Sequence, residues 1–555
     1  MKRFLILIIS LMLVITLIAC AESGTGESTG DAVKDTVSDA AGSPDVTDPP
    51  SGDTSAAGET TAEPEPDTDA VTTFKDRTEP EPELDAPMEV SEPYAITVDS
   101  SVRHQMIESF GASGAWWAQA VGKNTKTRDR IAELLFDPVE GIGLNGYRYN
   151  IGGGSQDKGS KSTAIGDLWR RAYSFEKSPG EYDWSRDKAA VWFMEKAAEL
   201  GVDEITMFVN SPIERLTRSG KAYADYKDPN KNNLAPENYE AFAQYVLDVA
   251  EHFKSEGLPI KFISPINEPQ YDWDDVGPGH VWAQEGCHYD NKAILNVLKV
   301  FVNKIGERSG LRGVEICAPD GGSWNDDTLA FSQMIMKDKT LGSYFTAIDN
   351  HSYWSETGSK KNFKAGIEKV SPDVKLRESE WCEMTNGRDL SMDSALTLAS
   401  TVYEDMTILD CVSWQYWIAV SCYDYRDGLI YTDASGNNVQ VPKRLWSLGN
   451  YSRYIDRGYT RIDCSGSTFN LCVSAYEGTN EYGEPETVVV IVNKSKNEKG
   501  FSFPGVDTSV YNRISVVTTD KSHNLEETYY SEFTEDTAIN VSGESVTTVI
   551  ISGRK

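Results

Sequence analysis

Strand-like and helix-like segments alternate through the middle of this chain, and that alternation constrains the fold more than any other feature. Helical patterns such as 187–198 and 237–246 separate short runs of apolar and β-branched residues. A chain that repeats strand and helix in this order builds a parallel sheet. Eight such units in about 340 residues predict an α/β fold, a (β/α)8 TIM barrel over residues 109–448. The strand candidates are 146–150, 205–210, 261–266, 314–317, 347–351, 374–377 and 412–417, with the first strand within 107–113.

Helical patterns stop after Gly449. Runs rich in Val, Ile and Thr follow at 487–492, 513–517 and 546–551, and this composition is typical of strands. Two short strand candidates also precede the barrel, which has no place for them. We therefore expect an all-β domain over 449–555 that the strands within 93–108 join.

The first 92 residues are predicted to lie outside any folded domain. Basic Lys2 and Arg3, an apolar run and the box Leu17-Ile18-Ala19-Cys20 predict a lipoprotein signal peptide over 1–20 with a lipidated Cys20. The alternatives are an ordinary signal peptide or an uncleaved anchor. Residues 21–92 are rich in Thr, Ser, Pro and acidic residues, which predicts a disordered stalk. We expect an extracellular, cell-surface lipoprotein that contacts the membrane only through this anchor.

Charge and cysteine usage exclude several classes of partner. The formal net charge is −33, and about half of it lies in the predicted stalk. Nucleic-acid binding needs clustered Lys and Arg, so we expect no nucleic-acid partner. Six histidines and the lack of a CxxC pair predict no metal site. Beyond Cys20, an odd number of cysteines leaves at least one free thiol, and Cys464 and Cys472 could bridge a hairpin.

Sequence signatures of nucleotide-binding and serine-nucleophile sites are missing. The run Gly152-Gly153-Gly154-Ser155 lacks the lysine of a phosphate loop, and Gly111-Ala112-Ser113-Gly114 lacks the spacing of a nucleophile elbow. We interpret the glycine run as a place where the backbone approaches a ligand. No cofactor is expected.

Glu268 is the first of two glutamates at the ends of predicted strands. It closes the run Phe262-Ile263-Ser264-Pro265-Ile266-Asn267-Glu268-Pro269, and on a regular strand Ser264, Ile266 and Glu268 share a face. A carboxylate at the C-terminal end of a barrel strand points into the site that the βα loops form. Asn267 beside it could bond a substrate hydroxyl. The alternative is a glutamate held in a salt bridge at the strand end.

Glu380 is the second, at the end of Val374-Lys375-Leu376-Arg377-Glu378-Ser379-Glu380-Trp381. Glu378 would share its face one layer deeper, so Glu378 remains an alternative for the same role. An inward Glu378 would need a partner because an unpaired buried carboxylate is costly, and Arg148 is a candidate. Two carboxylates about 5 Å apart across a sugar ring are the arrangement with which retaining glycosidases break a glycosidic bond.

Further substrate-binding candidates are aromatic or polar residues at the predicted strand ends. Aromatic rings stack on the apolar faces of sugars, although a single such residue is more often part of the core. His351 is as well suited to a core position as to binding a hydroxyl. The candidates are Arg148, Asn210, Asn267, His351, Tyr353, Trp117, Trp273, Trp381 and Trp414.

Several motifs together resemble glycoside hydrolase family 30, within the clan of retaining barrel enzymes. They are 109–117, 147–154, 210–212, 263–270, 379–381 and 448–455. The resemblance covers about 95–552 and implies a barrel with a side β-sandwich made from both ends of the domain. It also implies Glu268 as acid/base and Glu380 as nucleophile. Asp456-Arg457-Gly458 departs from the family pattern, in which a proline commonly precedes the glycine.

Within the family, Ala115-Trp116-Trp117 and Asn210-Ser211-Pro212 are most similar to the branch that contains endo-β-1,6-galactanases. β-1,6-Glucanases, xylanases and exo-β-glycosidases of related branches are the alternatives, since loops decide specificity on a shared fold. A surface glycan-binding protein on an inactive barrel is another. We expect a monomer whose partner is a polysaccharide or oligosaccharide.

Overall fold

The computed structural model describes residues 83–275, 284–480 and 482–553. The predicted signal peptide, Cys20 and most of the predicted stalk lie outside these residues. Within the described part of the chain, no helix is both long and apolar enough to span a bilayer.

The elements are numbered in chain order. The strands are β1 (Tyr94–Ala95), β2 (Val98–Met106), β3 (Ser109–Ser113), β4 (Gly146–Asn150), β5 (Glu176–Ser178), β6 (Glu181–Tyr182), β7 (Glu204–Phe208), β8 (Ile260–Ser264), β9 (Glu315–Ile316), β10 (Pro319–Gly321), β11 (Ala347–Asn350), β12 (Lys375–Trp381), β13 (Cys411–Tyr416), β14 (Val420–Ser421), β15 (Ile430–Tyr431), β16 (Thr460–Cys464), β17 (Leu471–Thr479), β18 (Pro485–Asn493), β19 (Lys499–Ser502), β20 (Arg513–Thr519), β21 (Asn524–Glu532), β22 (Ala538–Val541) and β23 (Ser545–Ser552). The α-helices of the described residues are α1 (Ala118–Val121), α2 (Arg128–Phe136), α3 (Lys188–Glu199), α4 (Tyr239–Ser255), α5 (Asn291–Gly306), α6 (Asp326–Lys337), α7 (Leu341–Tyr344), α8 (Thr357–Glu368), α9 (Met392–Glu404) and α10 (Lys443–Ser452). Short 3-10 turns lie at Leu168–Arg170, Glu214–Leu216, Pro236–Asn238 and Ser309–Leu311, and a π-helical turn lies at Asp405–Leu409.

Parallel strands form the barrel, and helices cover its outside. The strand order is β10-β11-β12-β13-β3-β4-β7-β8-β9. Strands β9 and β10 are the two halves of the fifth barrel strand, and the Cys317 N–H donates to the Ile263 carbonyl at 2.9 Å where they are interrupted. The sheet therefore closes with eight strand positions, which confirms the predicted (β/α)8 barrel.

Helix α5 shows why these segments fold against the barrel. Its N-cap residue Asp290 accepts a hydrogen bond from the Ala293 amide, which satisfies a donor that the first turn leaves open. Its buried apolar side chains recur every three or four residues, the spacing of one helix face. They are Ile294, Val297, Leu298, Phe301 and Ile305.

A β-sandwich lies beside the barrel, and both ends of the described chain contribute to it. Seven antiparallel strands form its larger sheet in the order β2-β16-β17-β18-β23-β20-β21, and β1, β19 and β22 form the smaller one. Side chains such as Ile96, Val489 and Phe501 fill the space between the sheets. Val490 and Val546, on the other face of the larger sheet, belong to the barrel's core cluster. The predicted side sandwich is confirmed, and the predicted boundary at 448/449 falls inside α10.

The last residues of the predicted stalk are packed on the sandwich. The Asp85 amide donates to the Tyr530 carbonyl at 2.7 Å, and the Asp85 carboxylate accepts from the Tyr530 amide at 2.9 Å. Strand β21 is the edge of its sheet, so its backbone groups are open to such pairing. The predicted stalk therefore makes contact with the sandwich at Asp85, while residues 83–92 contain no helix or strand.

Cys464 and Cys472 do not form the disulfide that their spacing allowed, and both are free thiols. Cys464 packs against the sandwich core, whereas Cys472 belongs to the barrel's cluster. Strand pairing places Ile462 opposite Ala475, so the alternation along β16 and β17 turns the two thiols to opposite faces of the sheet.

Candidate active site

Glu268 lies four residues beyond the end of β8. Pro265 has no N–H with which to continue the ladder after Ser264. Glu268 adopts a left-handed backbone conformation with φ 44°, and its N–H donates to the Asp320 carbonyl at 2.8 Å. The prediction that a regular strand aligns Ser264, Ile266 and Glu268 on one face is therefore wrong.

Glu380 lies on β12 at a β-bulge. Glu378 pairs with Trp414 and Trp381 with Tyr416, so β12 advances three residues where β13 advances two. The Glu378 carboxylate accepts the Glu380 and Gln415 amides, each at 2.9 Å. A bulge re-aims the side chains of its strand. The bulge breaks the regular alternation of side chains along β12, so the prediction that Glu378 and Glu380 share a face is wrong. The Glu378 carboxylate is bonded to backbone amides instead.

Arg148 joins Glu380 to a residue that was not a candidate, Asp320. Its Nη1 lies 2.6 Å from Glu380 Oε2 and its Nη2 lies 2.6 Å from Asp320 Oδ2. The hydroxyls of Ser264 and Ser379 also donate to the Asp320 carboxylate. The suggestion that Arg148 is the partner of Glu378 is wrong.

His351 brings the two candidate catalytic carboxylates together. Its Nδ1 lies 3.3 Å from Glu268 Oε1 and its Nε2 lies 3.6 Å from Glu380 Oε2. Asp320 Oδ1 is 3.5 Å from the same Nε2. Glu268 and Glu380 therefore reach one imidazole from two sides, and a single fully buried ring connects three carboxylates.

Charge within this cluster follows from the contacts. Burial alone would lower the pKa of His351, but the surrounding carboxylates, Glu380 first, raise it to about 10. Burial would raise the pKa of Asp320, but Arg148 and His351 outweigh it and hold that pKa well below its usual range. For Glu380, burial is the largest influence and raises the pKa on balance, although His351 and Arg148 act in the opposite direction. The cluster thus contains two cations, Arg148 and His351, at neutral pH.

Tyr353 and Asn267 complete the polar surroundings of Glu380 and Arg148. The Tyr353 hydroxyl donates to Glu380 Oε1 at 2.9 Å, and burial raises the pKa of this phenol, so it stays a donor. Asn267 Oδ1 accepts from Arg148 Nη2 at 3.4 Å. Four predicted binding residues, Arg148, Asn267, His351 and Tyr353, therefore meet around the two glutamates.

The aromatic candidates separate into two groups. The Trp273 indole donates to the Glu268 carbonyl at 3.0 Å and packs edge-on against Tyr271. Tyr271, close to Glu268, is 38% exposed, and Trp354, which packs against Tyr353, is 60% exposed. Both rings are therefore open to a sugar.

The remaining tryptophan candidates are buried, and Asn210 bonds to a neighbouring residue of the protein. Trp117 and Trp414 are both 0% exposed. Trp117 packs on Phe193 of α3, and Trp414 donates to Asp405, so neither ring face can stack on a sugar. These two binding predictions are wrong because both side chains face the helix layer. Trp381 is largely buried against Trp414, and Asn210 donates to Asn150.

The glycine run after β4 approaches a carboxylate of the protein itself. The amides of Gly153 and Ser155 donate to Glu285 at 2.7 and 3.0 Å. The group that this backbone segment approaches is thus the Glu285 side chain of the protein itself. Burial raises the pKa of Glu285 to about 7. Among the described residues, no group of three or more His, Cys, Asp or Glu side chains has the arrangement of a metal site.

Sequence reasoning missed Asp320, Gly322, Ser264 and Ser379. An aspartate followed by two glycines shortly after the predicted strand at 314–317 was an available signal, since barrel sites form at strand ends. Position 322 favours glycine because the Glu268 side chain lies close to its backbone: a Cβ at this position would lie 2.9 Å from Glu268 Oε1.

Comparison with known proteins adds an independent line of evidence. The family model described as "O-Glycosyl hydrolase family 30" matches residues 93–431. An endo-beta-1,6-galactanase from Hypocrea rufa is 24% identical over 393 residues, which cover 65% of this chain and 75% of that protein. Glucuronoxylanase XynC from Bacillus subtilis (strain 168) is 23% identical over 320 residues, 57% of this chain and 64% of that protein. A conserved exported protein from Bacteroides fragilis superposes with a TM-score of 0.73 at 23% identity, covering 82% of this chain and 100% of that one, a likeness of fold.

Proposed function

Because the chain belongs to O-glycosyl hydrolase family 30, we propose that this glycoside hydrolase cleaves β-glycosidic bonds with Glu380 as nucleophile and Glu268 as acid/base. One arrangement of contacts carries the assignment. Both carboxylates contact His351, and Glu380 also accepts short hydrogen bonds from Arg148, at 2.6 Å, and from Tyr353, at 2.9 Å. Donors aimed at an anion stabilise it. Glu380 is thus equipped to be the charged member of the pair.

The first step forms a glycosyl-enzyme. A Glu380 oxygen attacks the anomeric carbon, and the bond from that carbon to the glycosidic oxygen breaks as Glu268 gives its proton to this oxygen. When Glu380 is ionised for attack, the two positive charges of Arg148 and His351 balance the negative charges of Asp320 and Glu380. An additional anion at Glu268 would be uncompensated in a buried cluster, which favours Glu268 as the proton donor.

The second step releases the sugar. The Glu268 carboxylate removes a proton from water, whose oxygen attacks the anomeric carbon and breaks its bond to Glu380. Arg148 and Tyr353 stabilise the departing Glu380 carboxylate as its charge returns. Two inversions at one carbon leave the configuration of the anomer unchanged.

For the substrate we propose an endo-acting cleavage of β-1,6-galactan. Support comes from the similarity to the Hypocrea rufa protein over three quarters of that protein's length and from the motifs at 115–117 and 210–212. Exposed Tyr271 and Trp354 beside the carboxylates fit the stacking of further sugar units of a polymer.

The test is hydrolysis of three defined polymers, β-1,6-galactan, β-1,6-glucan and glucuronoxylan, with sizing of the products and proton NMR of the first anomer released. We expect galacto-oligosaccharides whose β-anomer appears first, and no products from Glu380→Gln. Release of the α-anomer first would contradict double displacement. Binding of a polymer without the formation of any product would instead support the glycan-binding alternative.

We also propose that Cys20 carries a lipid anchor that holds the enzyme at the cell surface. The support is the sequence of residues 1–20 alone, and these residues lie outside those described. Cys20→Ala should move the protein from the membrane fraction to the soluble fraction of the producing cells. An unchanged distribution would contradict the anchor.

A further inference from the structure

We propose that Asp320 is a positioning residue that holds Glu268 with its backbone and Glu380, through Arg148, with its side chain. The inference rests on the proposed roles of these two glutamates. Asp320 lies on β10, the outer half of the fifth barrel strand, and is 1% exposed. It therefore acts on the reaction only through its neighbours.

The backbone of Asp320 fixes Glu268. Strand β8 ends four residues before Glu268, so the ladder of the barrel no longer holds this segment. The bond from the Glu268 N–H to the Asp320 carbonyl, at 2.8 Å, replaces it. Both residues have left-handed backbone conformations, with φ 44° and 53°. Such conformations persist only where surrounding contacts determine them.

The carboxylate of Asp320 fixes Arg148. One Nη of the guanidinium contacts Asp320 and the other contacts Glu380, each at 2.6 Å. Because the guanidinium is planar and rigid, holding one arm of the fork sets the direction of the other. Ser264 on β8 and Ser379 on β12 donate to the same carboxylate. Asp320 is thus anchored from two further strands.

Asp320 also competes with Glu380 for positive charge. His351 Nε2 lies 3.5 Å from Asp320 and 3.6 Å from Glu380. With an anionic Asp320 present, Arg148 and His351 are shared between two carboxylates. This sharing weakens the hold of Arg148, 2.6 Å away, on the lone pairs of Glu380 and leaves them more available for attack.

The test compares Asp320→Asn with Asp349→Asn in the full chain. Asp349 is a matched control because it is a buried aspartate on the neighbouring strand β11, 3.7 Å from Arg377. We expect Asp320→Asn to lower kcat about 100-fold, the usual cost of slight misplacement, with KM unchanged because Asp320 does not touch substrate. Asp349→Asn should leave kcat near the wild-type value.

A second readout does not depend on activity. In protein labelled with 15N-histidine, the His351 resonance should titrate at lower pH in Asp320→Asn than in wild type, because one of its three facing carboxylates, with Glu268 and Glu380 remaining, loses its charge. Equal loss of kcat and of Tm in both variants, or an unshifted His351 titration in an active enzyme, would overturn the role of Asp320. A wild-type protein that hydrolyses no glycan would overturn the proposed function itself.

Discussion

Replacing Gly322 with alanine should impair proton donation while leaving the nucleophile in place. A Cβ at this position would lie 2.5 Å from Gln270 Nε2, 2.9 Å from Glu268 Oε1 and 3.1 Å from the Tyr271 hydroxyl. Ordinary non-bonded contact is about 3.5 Å, so the Glu268 carboxylate must move by about half an ångström. The three heavy atoms nearest to this Cβ belong to Gln270, Glu268 and Tyr271, and none of them belongs to Glu380 or to its donors Arg148 and Tyr353.

The size of the effect follows from that displacement. A misplacement of about 1 Å can lower a rate ~100-fold, and general acid catalysis contributes ~10²- to 10⁴-fold. We therefore expect kcat on a polysaccharide to fall about 10- to 100-fold. Overpacking should also cost about 1–3 kcal/mol of folding stability.

The assay uses two substrates that differ in their need for a proton donor. Cleavage of the polysaccharide needs protonation of a sugar alkoxide, whereas an aryl glycoside with a nitrophenolate leaving group needs almost none. The loss in kcat/KM should be large for the first substrate and small for the second. Gly358→Ala is the control, because a Cβ at Gly358 on α8 meets nothing within 4 Å.

Two results would refute this reasoning about Gly322. The first is a wild-type rate on the polysaccharide, which would mean that Glu268 is not displaced. The second is an equal loss on both substrates, which would mean that the damage reaches Glu380.

Four further predictions concern single carboxylates. Glu380→Gln should lower turnover by about 10⁴-fold or more with unchanged Tm, and substantial residual activity would redirect the nucleophile to Glu378. Glu268→Ala should keep the first step on substrates with good leaving groups and lose it on glycans; the same pattern at Glu380 alone would reverse the roles. Glu378→Gln places an amide donor against the N–H of Glu380 or Gln415, so Tm should fall by the equivalent of about 1–3 kcal/mol while turnover remains measurable; an unchanged Tm would contradict this. Burial raises the pKa of Glu285 from 4.5 to about 7, so the folded state binds the proton more tightly and stability should fall as pH rises through this range; Glu285→Gln should flatten that decline in Tm, and an unaltered slope would contradict the assignment.

Much of the barrel could be predicted because its strands differ from its helices in hydrophobic period. The candidate at 146–150 coincides with β4, and the one at 374–377 begins one residue before β12. Strand-end glutamates could be identified because the barrel fold directs strand ends to one site. The positions of the strands and of the glutamates at their ends depend on local sequence, which is why they could be predicted.

The errors arise where contacts between distant segments decide the geometry. A bulge on β12 depends on the register of β13, and no pattern within β12 signals it. Trp414 was placed in the site because it lies near a strand end, but strand alternation turns it to the helix layer and Asp405. Asp320 was overlooked because Pro319 and Gly321 beside it are typical of a turn, whereas its role comes from residues on three other strands.

The larger sheet of the sandwich has a consequence for how the polypeptide acquires its structure. Its strand β2 pairs with β16, more than 350 positions later, and β23, at the far end of the chain, lies between β18 and β20. Pairings of such long range form slowly, because a large loop must close before they contribute. During synthesis β2 must wait without its neighbour β16 until more than 350 further residues have been made. Nascent chains should therefore depend on chaperones, and deletion of β2 or of β23 should yield aggregates in place of a smaller enzyme.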